Sequence, residues 1–313
     1  VYYALLMIKI LYRSLKDSKI HTSRKSRRGI WVRVEDPTEL ELENLIEDYD
    51  LDEAIVKDAL DPYEVPRIEK EDGAVYCIIR LPTTNQTTLV TTPLLIIVTP
   101  KVVITLSKNK LELLDLLIQE KFAPVITTQK TKLLMQLLQL INAEFEKQLF
   151  RLAKDISLHT TDTEKIENAR VIQFVVYETQ YNTYLATLNP MKLVLEKLRS
   201  NKFIALHEDD NDLIEDLLWN ADQLIQMSLF GIKQVTNIRE AYSTIVSNNL
   251  NKTVKVLTSV TVILTIPTII SSFFGMNVQV PLSNHVFGFL LIAIFTIVAV
   301  IFLYYIFHKK DLL

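Results

Sequence analysis

The first 124 residues alternate between short apolar runs and polar breaks, the pattern of a mixed α/β domain. Residues 30–36 (IWVRVED) alternate apolar and polar side chains, as a half-buried strand does. The following Asp36-Pro37-Thr38-Glu39 predicts a helix start, because a capping residue precedes a proline in the first turn. Three β-branched runs are predicted as further strands: Ala74–Leu81, Pro93–Thr99 and Val102–Leu106. We therefore predict a soluble α/β domain over residues 1–124.

After Pro124 the apolar residues recur with the 3.6-residue period of helices. One stripe comprises Leu133, Leu134, Leu137, Leu138, Ile141, Phe145 and Leu149. A second helical run covers residues 165–199. A third begins near Glu208 and has no convincing stop before Gly275, so as one helix it would span ~100 Å. Residues 125–250 are therefore predicted as a helical stalk region.

Two apolar runs near the C-terminal end are long enough to cross a bilayer. Val256–Phe274 gives 19 residues and Phe287–Phe307 gives 21, and no Asp, Glu, Lys or Arg occurs anywhere from 256 to 307. A hydrocarbon core requires ~20 residues of helix. The alternative is a pair of buried core helices. We predict a transmembrane region over residues 251–313, giving an α+β soluble domain, long stalk helices and two C-terminal transmembrane helices.

Basic residues predict the orientation of these two spans. Lys252 and Lys255 precede the first span, and His308, Lys309 and Lys310 follow the second. The loop over residues 275–286 has no Lys or Arg. By the positive-inside rule, we expect a multi-pass protein of the cell membrane with both termini in the cytoplasm.

Composition excludes several classes of protein. Charged residues make up 23% of a chain that is 49% hydrophobic, and the net charge of −3 gives no reason to expect nucleic-acid binding. The single cysteine, Cys77, cannot form an intramolecular disulfide, which suits a cytosolic domain. Lys9 and Arg13 interrupt the apolar start of the chain, so a signal peptide is not predicted.

The first span differs from the second in its polar residues. The second is Phe, Leu, Ile and Val almost throughout, as in a lipid-facing helix, whereas the first carries several Ser and Thr residues. Residues at spacings of 3, 3, 4, 4, 3 and 4 form one seam: Asn251, Val254, Leu257, Thr261, Thr265, Thr268 and Ser272. This is the 3.5-residue repeat of a left-handed bundle. The seam either packs against another helix or lines water.

A water-lining seam has a consequence for assembly. Two helices cannot enclose a pore, so several copies would have to surround an axis, with the first span inside and the second outside. The sequence then predicts a homo-oligomer in the lipid bilayer.

The tripeptide Gly275-Met276-Asn277 follows the first span directly, and in this position it resembles the signature of the CorA family of Mg²⁺ transporters. Further segments resemble the family: Ser247-Asn248, Asn251, Lys255–Thr258, Pro267-Thr268, Asp36–Thr38, Asp58–Asp61 and Pro66–Glu69. The resemblance covers nearly the whole chain. It implies a homopentameric funnel that transports divalent cations, with Mg²⁺ first and no organic cofactor.

The resemblance also implies roles for individual residues. A ring of Asn277 side-chain carbonyls would select the hydrated ion, because Mg²⁺ gives up its waters reluctantly. Gly275 would allow a tight turn, and Met276 would pack against it. Val254 and Leu257 would form apolar collars that close the pore by dewetting, with Asn251 as a polar ring beside them. The alternative for Asn277 is an ordinary helix C-cap.

An acidic cluster opens the third helical region. It comprises Glu208, Asp209, Asp210, Asp212, Glu215 and Asp216. Negative charge at a helix N-terminus is favoured by the helix dipole alone. The resemblance points to Asp216 as a regulatory Mg²⁺ ligand, with Glu208, Asp209 and Asp212 as weaker candidates. The loop expected to supply the partner charge, residues 83–92, has no carboxylate, so regulation is expected to be weak.

Other functions are less compatible with the residues. With only five glycines, the chain has no phosphate-cradling loop, and common catalytic motifs are absent, so an enzyme is not predicted. Cys77 and the five histidines lack metal-ligand spacing. The alternatives are transport of Co²⁺, Ni²⁺ or Zn²⁺, or a membrane-anchored cytosolic scaffold that conducts nothing.

Overall fold

A computed structural model describes residues 8–23, 27–84, 89–160, 168–277 and 286–310. The chain divides into two compact units, Val1–Asn237 and Ile238–Leu313. The first unit contains a seven-stranded sheet and most of the helices. One long helix passes through the division, so that its N-terminal part belongs to the first unit and its remainder to the second.

The sheet has one parallel pair among antiparallel ones. Its strands are β1 (Ile8–Tyr12), β2 (His21–Thr22), β3 (Ile30–Glu35), β4 (Arg67–Glu71), β5 (Ala74–Thr84), β6 (Leu89–Val98) and β7 (Val102–Ser107). Their order is β2-β1-β3-β7-β6-β5-β4. Strands β3 and β7 run parallel, with Ile30 opposite Val102. The predicted strands are confirmed, whereas β1, β2 and β4, which are short or lie near the sheet edges, were not predicted.

Two short helices cover one face of this sheet. Helices α1 (Glu39–Tyr49) and α2 (Glu53–Asp58) contribute Leu45 and Val56 to a core cluster with Val32, Ile78 and Ile104. Helix α1 begins one residue after Thr38, whose hydroxyl accepts from Glu41 N at 3.3 Å while the Glu41 carboxylate accepts from Thr38 N at 2.9 Å. This reciprocal capping box satisfies two amide donors at the start of the helix. The helix therefore starts within the predicted segment, but the predicted cap was wrong: Thr38 is the cap, and Asp36 and Pro37 precede the helix.

Strand β3 is buried along its whole length, and the expectation of a half-buried strand was wrong. An ion-pair network offsets the cost of burying its charged side chains. Arg33 Nη2 donates to Glu35 Oε1 at 2.7 Å and to the Leu111 carbonyl at 2.8 Å, and Arg33 also pairs with Asp115. Because the charges are paired, the polar positions of this central strand are buried with the apolar ones.

The rest of the described chain is helical, and four of its helices are long. After a short 3₁₀ turn (Glu112–Leu114) come α3 (Asp115–Ile118), α4 (Lys130–Thr160), α5 (Asn168–Arg199), α6 (Glu208–Phe274) and α7 (Gly288–Lys309). All seven residues of the predicted α4 stripe are buried. Helix α6 spans 67 residues, as its unbroken pattern predicts. For the second helical run, residues 165–167 lie outside the described residues.

The β5–β6 hairpin changes one sequence interpretation. Residues 83–92 were expected to form a loop, but Thr83 pairs with Val90, and Thr84 with Leu89, in the register of the two strands. The polar threonines therefore extend the ladder beyond the predicted strand ends. At the tip of this hairpin, residues 85–88 lie outside the described residues.

Helices α5 and α6 approach closely at a glycine. A Cβ built on Gly231 would lie 2.2 Å from Cζ of Tyr181, far inside van der Waals contact. The Tyr181 ring is buried, and this burial raises the pKa of its phenol to about 12. Gly231 is thus required by the proximity of α5, because it brings no side chain to the contact.

Candidate functional site

The C-terminal part of α6 and the whole of α7 are long and apolar enough to cross a membrane. Only 6% of the apolar window of α6 is buried within the chain, and none of that of α7. A pair of core helices would be buried by its own fold, so the alternative interpretation of these runs does not fit. The apolar surfaces are instead available to lipid or to further copies of the chain.

Every residue of the predicted seam lies exposed along α6. Val254 is 52% exposed and Leu257 66%. The polar members Asn251, Thr261, Thr265, Thr268 and Ser272 are exposed as well. The single chain therefore leaves this entire strip of α6 uncovered.

The seam threonines share one hydrogen-bond arrangement. The hydroxyl of Thr265 donates to the Thr261 carbonyl at 2.7 Å, one turn earlier. Thr261 donates in the same way to Leu257 at 2.8 Å, and Thr268 to Leu264 at 3.1 Å. Each hydroxyl hydrogen is thus engaged, and the oxygen retains acceptor capacity toward the exposed side. The seam consequently presents a ladder of acceptors without formal charge.

The tripeptide lies where α6 ends. Gly275 N donates to the Ser271 carbonyl at 2.9 Å and Met276 N to the Phe273 carbonyl at 3.4 Å, which closes the last turn. The φ angle of Gly275 is not in the left-handed region, but a Cβ there would approach the Ser271 oxygen to 3.3 Å, a tight contact. Met276 and Asn277 are exposed, with Met276 at 53%. Both side chains are therefore free to meet groups outside this chain.

The described side chains of the acidic cluster do not form a metal site by themselves. Asp210 is buried and accepts from His207 N at 3.3 Å, the geometry of a helix cap. Asp212, Glu215 and Asp216 are exposed, and nothing is described of the side chains of Glu208 and Asp209. Within the described residues, no three His, Cys, Asp or Glu side chains converge to hold a metal ion.

Cys77 is a packing residue, as its isolation in the sequence suggests. Its side chain is fully buried in β5, and burial raises the pKa of the thiol to about 12. Such a thiol is neither a ready metal ligand nor a nucleophile.

Two exposed aromatic residues of α6 were not identified from the sequence. Trp219 is 82% exposed and Phe230 is 69% exposed. The seam was traced only from Asn251 onward, although its alternating spacing of three and four residues extends upstream through both positions. Continuing that count would have found them.

Comparisons with known proteins place this geometry in context. A family model described as "CorA-like Mg2+ transporter protein" matches residues 26–309. The "Cobalt/magnesium transport protein CorA" of Methanocaldococcus jannaschii is 26% identical over 300 residues, which is 90% of this chain and 91% of that protein.

Solved structures share the fold. The complete CorA magnesium transporter structure from M. jannaschii superposes with a TM-score of 0.86 at 22% identity, covering 97% of this chain and 98% of that one. The full-length CmaX protein gives 0.74 at 15% identity, with 97% of both chains covered. The ZntB cytoplasmic domain from Vibrio parahaemolyticus gives 0.65 at 12% identity, covering 77% of this chain and 98% of that one.

Proposed function

Since the chain belongs to the CorA-like Mg²⁺ transporter family, we propose that it is a homopentameric channel for passive, potential-driven uptake of divalent cations, with Mg²⁺ the preferred ion. Its soluble unit and both termini lie in the cytoplasm, and five copies of α6 surround the pore with α7 outside. The observation that carries this proposal is the exposed seam of α6, with its uncharged acceptors and the Gly-Met-Asn tripeptide at its end.

The acceptor ladder suits a hydrated divalent ion. The waters around Mg²⁺ point their hydrogens outward, and Mg²⁺ dehydrates reluctantly. Hydroxyl oxygens whose own hydrogens already bind backbone carbonyls accept from those waters without competing as donors. Thr261, Thr265 and Thr268 would therefore guide the ion together with its inner water shell.

Selection is proposed at Asn277. Five side-chain carbonyls in a ring accept hydrogen bonds from the hydrated ion and add no fixed charge that would retain it. Gly275 and Met276 belong to the same ring, Gly275 because it closes the last turn of α6 without a side chain.

The proposed gate lies nearer the cytoplasm. Rings of Val254 and Leu257 exclude water from a narrow pore when closed. Asn251 provides a polar ring beside them, and Ser272 lies near the outer end of the seam. A divalent ion that moves down ~100 mV gains about 4.6 kcal/mol, so inward flux needs no other energy source.

A regulatory cation site is proposed around Asp216, with weak occupancy. Asp216, Asp212 and Glu215 are exposed on the same helix, with Asp212 one turn before Asp216, and Glu208 and Asp209 precede them in the sequence. Residues 83–92 bring no carboxylate that would complete a site between copies.

A second candidate is transport of Co²⁺, since the relative from M. jannaschii is named for both cobalt and magnesium. Ni²⁺ and Zn²⁺ have the same charge and are tested alongside it. The alternative from a different functional class is a membrane-anchored cytosolic scaffold that conducts no ions.

The test is Mg²⁺ uptake into liposomes that contain the purified full chain, driven by a set potential and followed with an internal indicator. Asn277→Leu keeps the bulk and removes the acceptor, so uptake should fall roughly tenfold or more, the worth of a lost hydrogen bond near a charge. Asn277→Asp adds up to five charges and should bind cations more tightly with less selectivity between Mg²⁺ and Co²⁺.

Two controls make this test decisive. Asn220→Leu changes an exposed asparagine of α6 outside the seam and should leave uptake unchanged. Native mass spectrometry should give five copies for each variant. Near-normal uptake by assembled Asn277→Leu would overturn the role of Asn277, and a stable non-conducting monomer would overturn the channel itself.

A further inference from the structure

A cavity of about 460 Å³ at one end of the sheet carries charged side chains of both signs. Its volume falls within the ~300–1,000 Å³ range of small-molecule sites. The charged residues that line it are three basic and three acidic ones: Arg27, Arg28, Lys101, Asp48, Asp50 and Asp72. All of them belong to the first unit of the chain, and the transport proposed above uses none of them.

The basic wall of this cavity is held in place by hydrogen bonds. Gly29 N donates to the Lys101 carbonyl at 2.7 Å, which keeps Arg28 beside the turn between β6 and β7. The Thr99 hydroxyl accepts from Lys101 N at 3.1 Å within that turn, and the Thr99 carbonyl accepts from Lys130 Nζ at 2.7 Å. Burial lowers the pKa of the Lys130 ammonium, and the charge of Arg28 lowers it further. Positive charge is therefore concentrated at this wall.

The acidic wall comes from two other elements. Asp50 caps the C-terminal end of α1 and Asp72 lies in the turn between β4 and β5, with φ angles of 53° and 47°. Both side chains are exposed. Burial raises the pKa of the Tyr76 phenol, and the charges of Asp52, Asp72 and Asp50 raise it further. The carboxylates of the acidic wall are therefore gathered around one group.

The two walls line one cavity without bonding to each other. Among the described residues, no salt bridge joins Arg28 or Lys101 to Asp50 or Asp72. The acidic wall would repel a ligand with only negative charge, and the basic wall would repel a free cation. A divalent cation bound to a polyphosphate matches both walls, because proteins commonly hold Mg²⁺ by one or two carboxylates together with phosphates of a ligand.

Arg27 adds a flat surface at the edge of this cavity. Its guanidinium carbon lies 3.1 Å from the centroid of the Tyr12 ring, and its Nη2 lies 3.3 Å from Nε2 of His21. These contacts fix the guanidinium on one side, while the side chain as a whole is exposed. Guanidinium planes stack on nucleobases as aromatic rings do. The surface therefore suits a base attached to the polyphosphate.

We propose that this cavity binds a magnesium-bound nucleoside triphosphate. The phosphates contact Arg28 and Lys101, the base stacks on Arg27, and the cation is held between the phosphates and Asp50 or Asp72. The described side chains offer no group of three metal ligands, so the cation arrives with the nucleotide and does not bind here alone. This site lies in the first unit and requires no ion conduction.

Isothermal titration of the full chain in detergent tests the site, with ATP as the probe in excess Mg²⁺ and then in EDTA. The same Mg²⁺ concentration in cell and syringe cancels the heat of other cation sites. The affinity for ATP should be several-fold higher in Mg²⁺ than in EDTA. Arg28→Gln with Lys101→Gln should weaken binding in Mg²⁺ roughly tenfold or more, because two charged contacts are lost.

Lys108→Gln is the matched control for the basic wall. Lys101 precedes β7 and Lys108 follows it, and both are exposed, so the control removes the same charge at the opposite end of one strand. Its affinity for ATP should equal that of the unmodified chain. An equal loss in both variants would overturn the cavity as the binding site.

Asp50→Asn with Asp72→Asn separates a metal–nucleotide site from a general anion site. Asparagine tolerates the left-handed backbone of both positions, so the fold is retained. The carboxylates attract the cation and repel bare phosphates, so this variant should bind ATP more weakly in Mg²⁺ and more tightly in EDTA. Tighter binding under both conditions would overturn the contact with the cation.

Magnesium tripolyphosphate, which lacks the base, tests the contact with Arg27. It should bind the unmodified chain several-fold more weakly than magnesium ATP. Arg27→Lys keeps the charge but removes the planar surface, so it should abolish this difference. Equal affinity of the unmodified chain for both probes would overturn a nucleotide as the ligand.

The outcomes also separate this site from transport. No binding of magnesium ATP by a chain that takes up Mg²⁺ into liposomes overturns the site and leaves the channel standing. Binding with the expected response to the variants, in a chain that conducts nothing, supports the site and overturns the proposed function.

Discussion

Individual residues in this protein are constrained most where helices meet without space for a side chain. Alanine normally stabilises a helix by about 0.5–1 kcal/mol relative to glycine. At Gly231 the same methyl group would overlap the buried Tyr181 ring at 2.2 Å. Steric overlap therefore reverses the sign of the usual effect.

We expect Gly231→Ala to destabilise the protein by about 1–3 kcal/mol, the cost of overpacking a close-packed interior. The thermal midpoint of the full chain in detergent, followed by tryptophan fluorescence, measures the change. Adding Tyr181→Leu should restore part of the loss, because the two residues are coupled through one contact. A thermal midpoint for Gly231→Ala at or above that of the unmodified chain would show that α5 can shift to accommodate the added methyl group without loss of stability.

At this scale the sequence predicted where the candidate residues lie, and their roles stay a prediction. The spacing of Thr261, Thr265 and Thr268 placed them on one seam of a helix, because helical periodicity is visible in one dimension. The direction of each hydroxyl hydrogen was not predictable, since it depends on the carbonyl one turn earlier in the folded helix. The close contact at Gly231 was not predictable from the sequence either, because its partner Tyr181 lies on another helix.

Among the elements, α6 combines a polar acceptor ladder with an apolar stretch on the same seam. Val254 and Leu257 interrupt the polar members just before the hydroxyls begin, and both are exposed in the single chain. An apolar ring in a narrow pore resists wetting, so this stretch is the element where opening would be controlled.

Leu257→Asn should wet the proposed constriction and raise Mg²⁺ leak into liposomes at saturating internal Mg²⁺. The matched control is Val256→Asn, since Val256 is 38% exposed on the same helix and lies about 100° around it from Leu257. Its flux should match that of the unmodified chain. Equal or lower flux in Leu257→Asn, with assembly intact, would rule out the collar.

Element boundaries were predicted where the pattern is long. The α4 stripe is confirmed because many residues repeat one period. The two long uncharged runs lie within the apolar helices α6 and α7. Short edge strands such as β2 and β4 carry too few residues for a period to emerge. The hairpin ends were misassigned because Thr83 and Val90 pair only in the folded register, which no local pattern specifies.

For the whole molecule, the proposed regulation by a cation depends on groups that different copies would bring together. The described residues of one chain contain no metal cluster, and Asp216 is exposed. A cation there would be held by one or two carboxylates and water, an arrangement with weak net stabilisation at a surface.

We expect Asp216→Ala to change Mg²⁺-dependent protection from protease by no more than a few-fold. The measurement is limited proteolysis of the assembled chain over a Mg²⁺ titration, with Glu146→Ala, at an exposed acidic residue of α4, as the control. A large rightward shift in the titration for Asp216→Ala alone would show that another copy completes a strong site there.

The parallel pairing of β3 with β7 also sets an order of events during synthesis. Ile30 of β3 pairs with Val102 of β7, so this central pairing cannot form until residue 102 has been synthesised. About 150 further residues separate Ser107 from Val256. At ~5–20 residues per second the ribosome needs roughly 8–30 s to make them. The sheet therefore has time to fold before the first membrane-spanning segment is synthesised, and the nascent chain reaches the bilayer with its β-strands already paired.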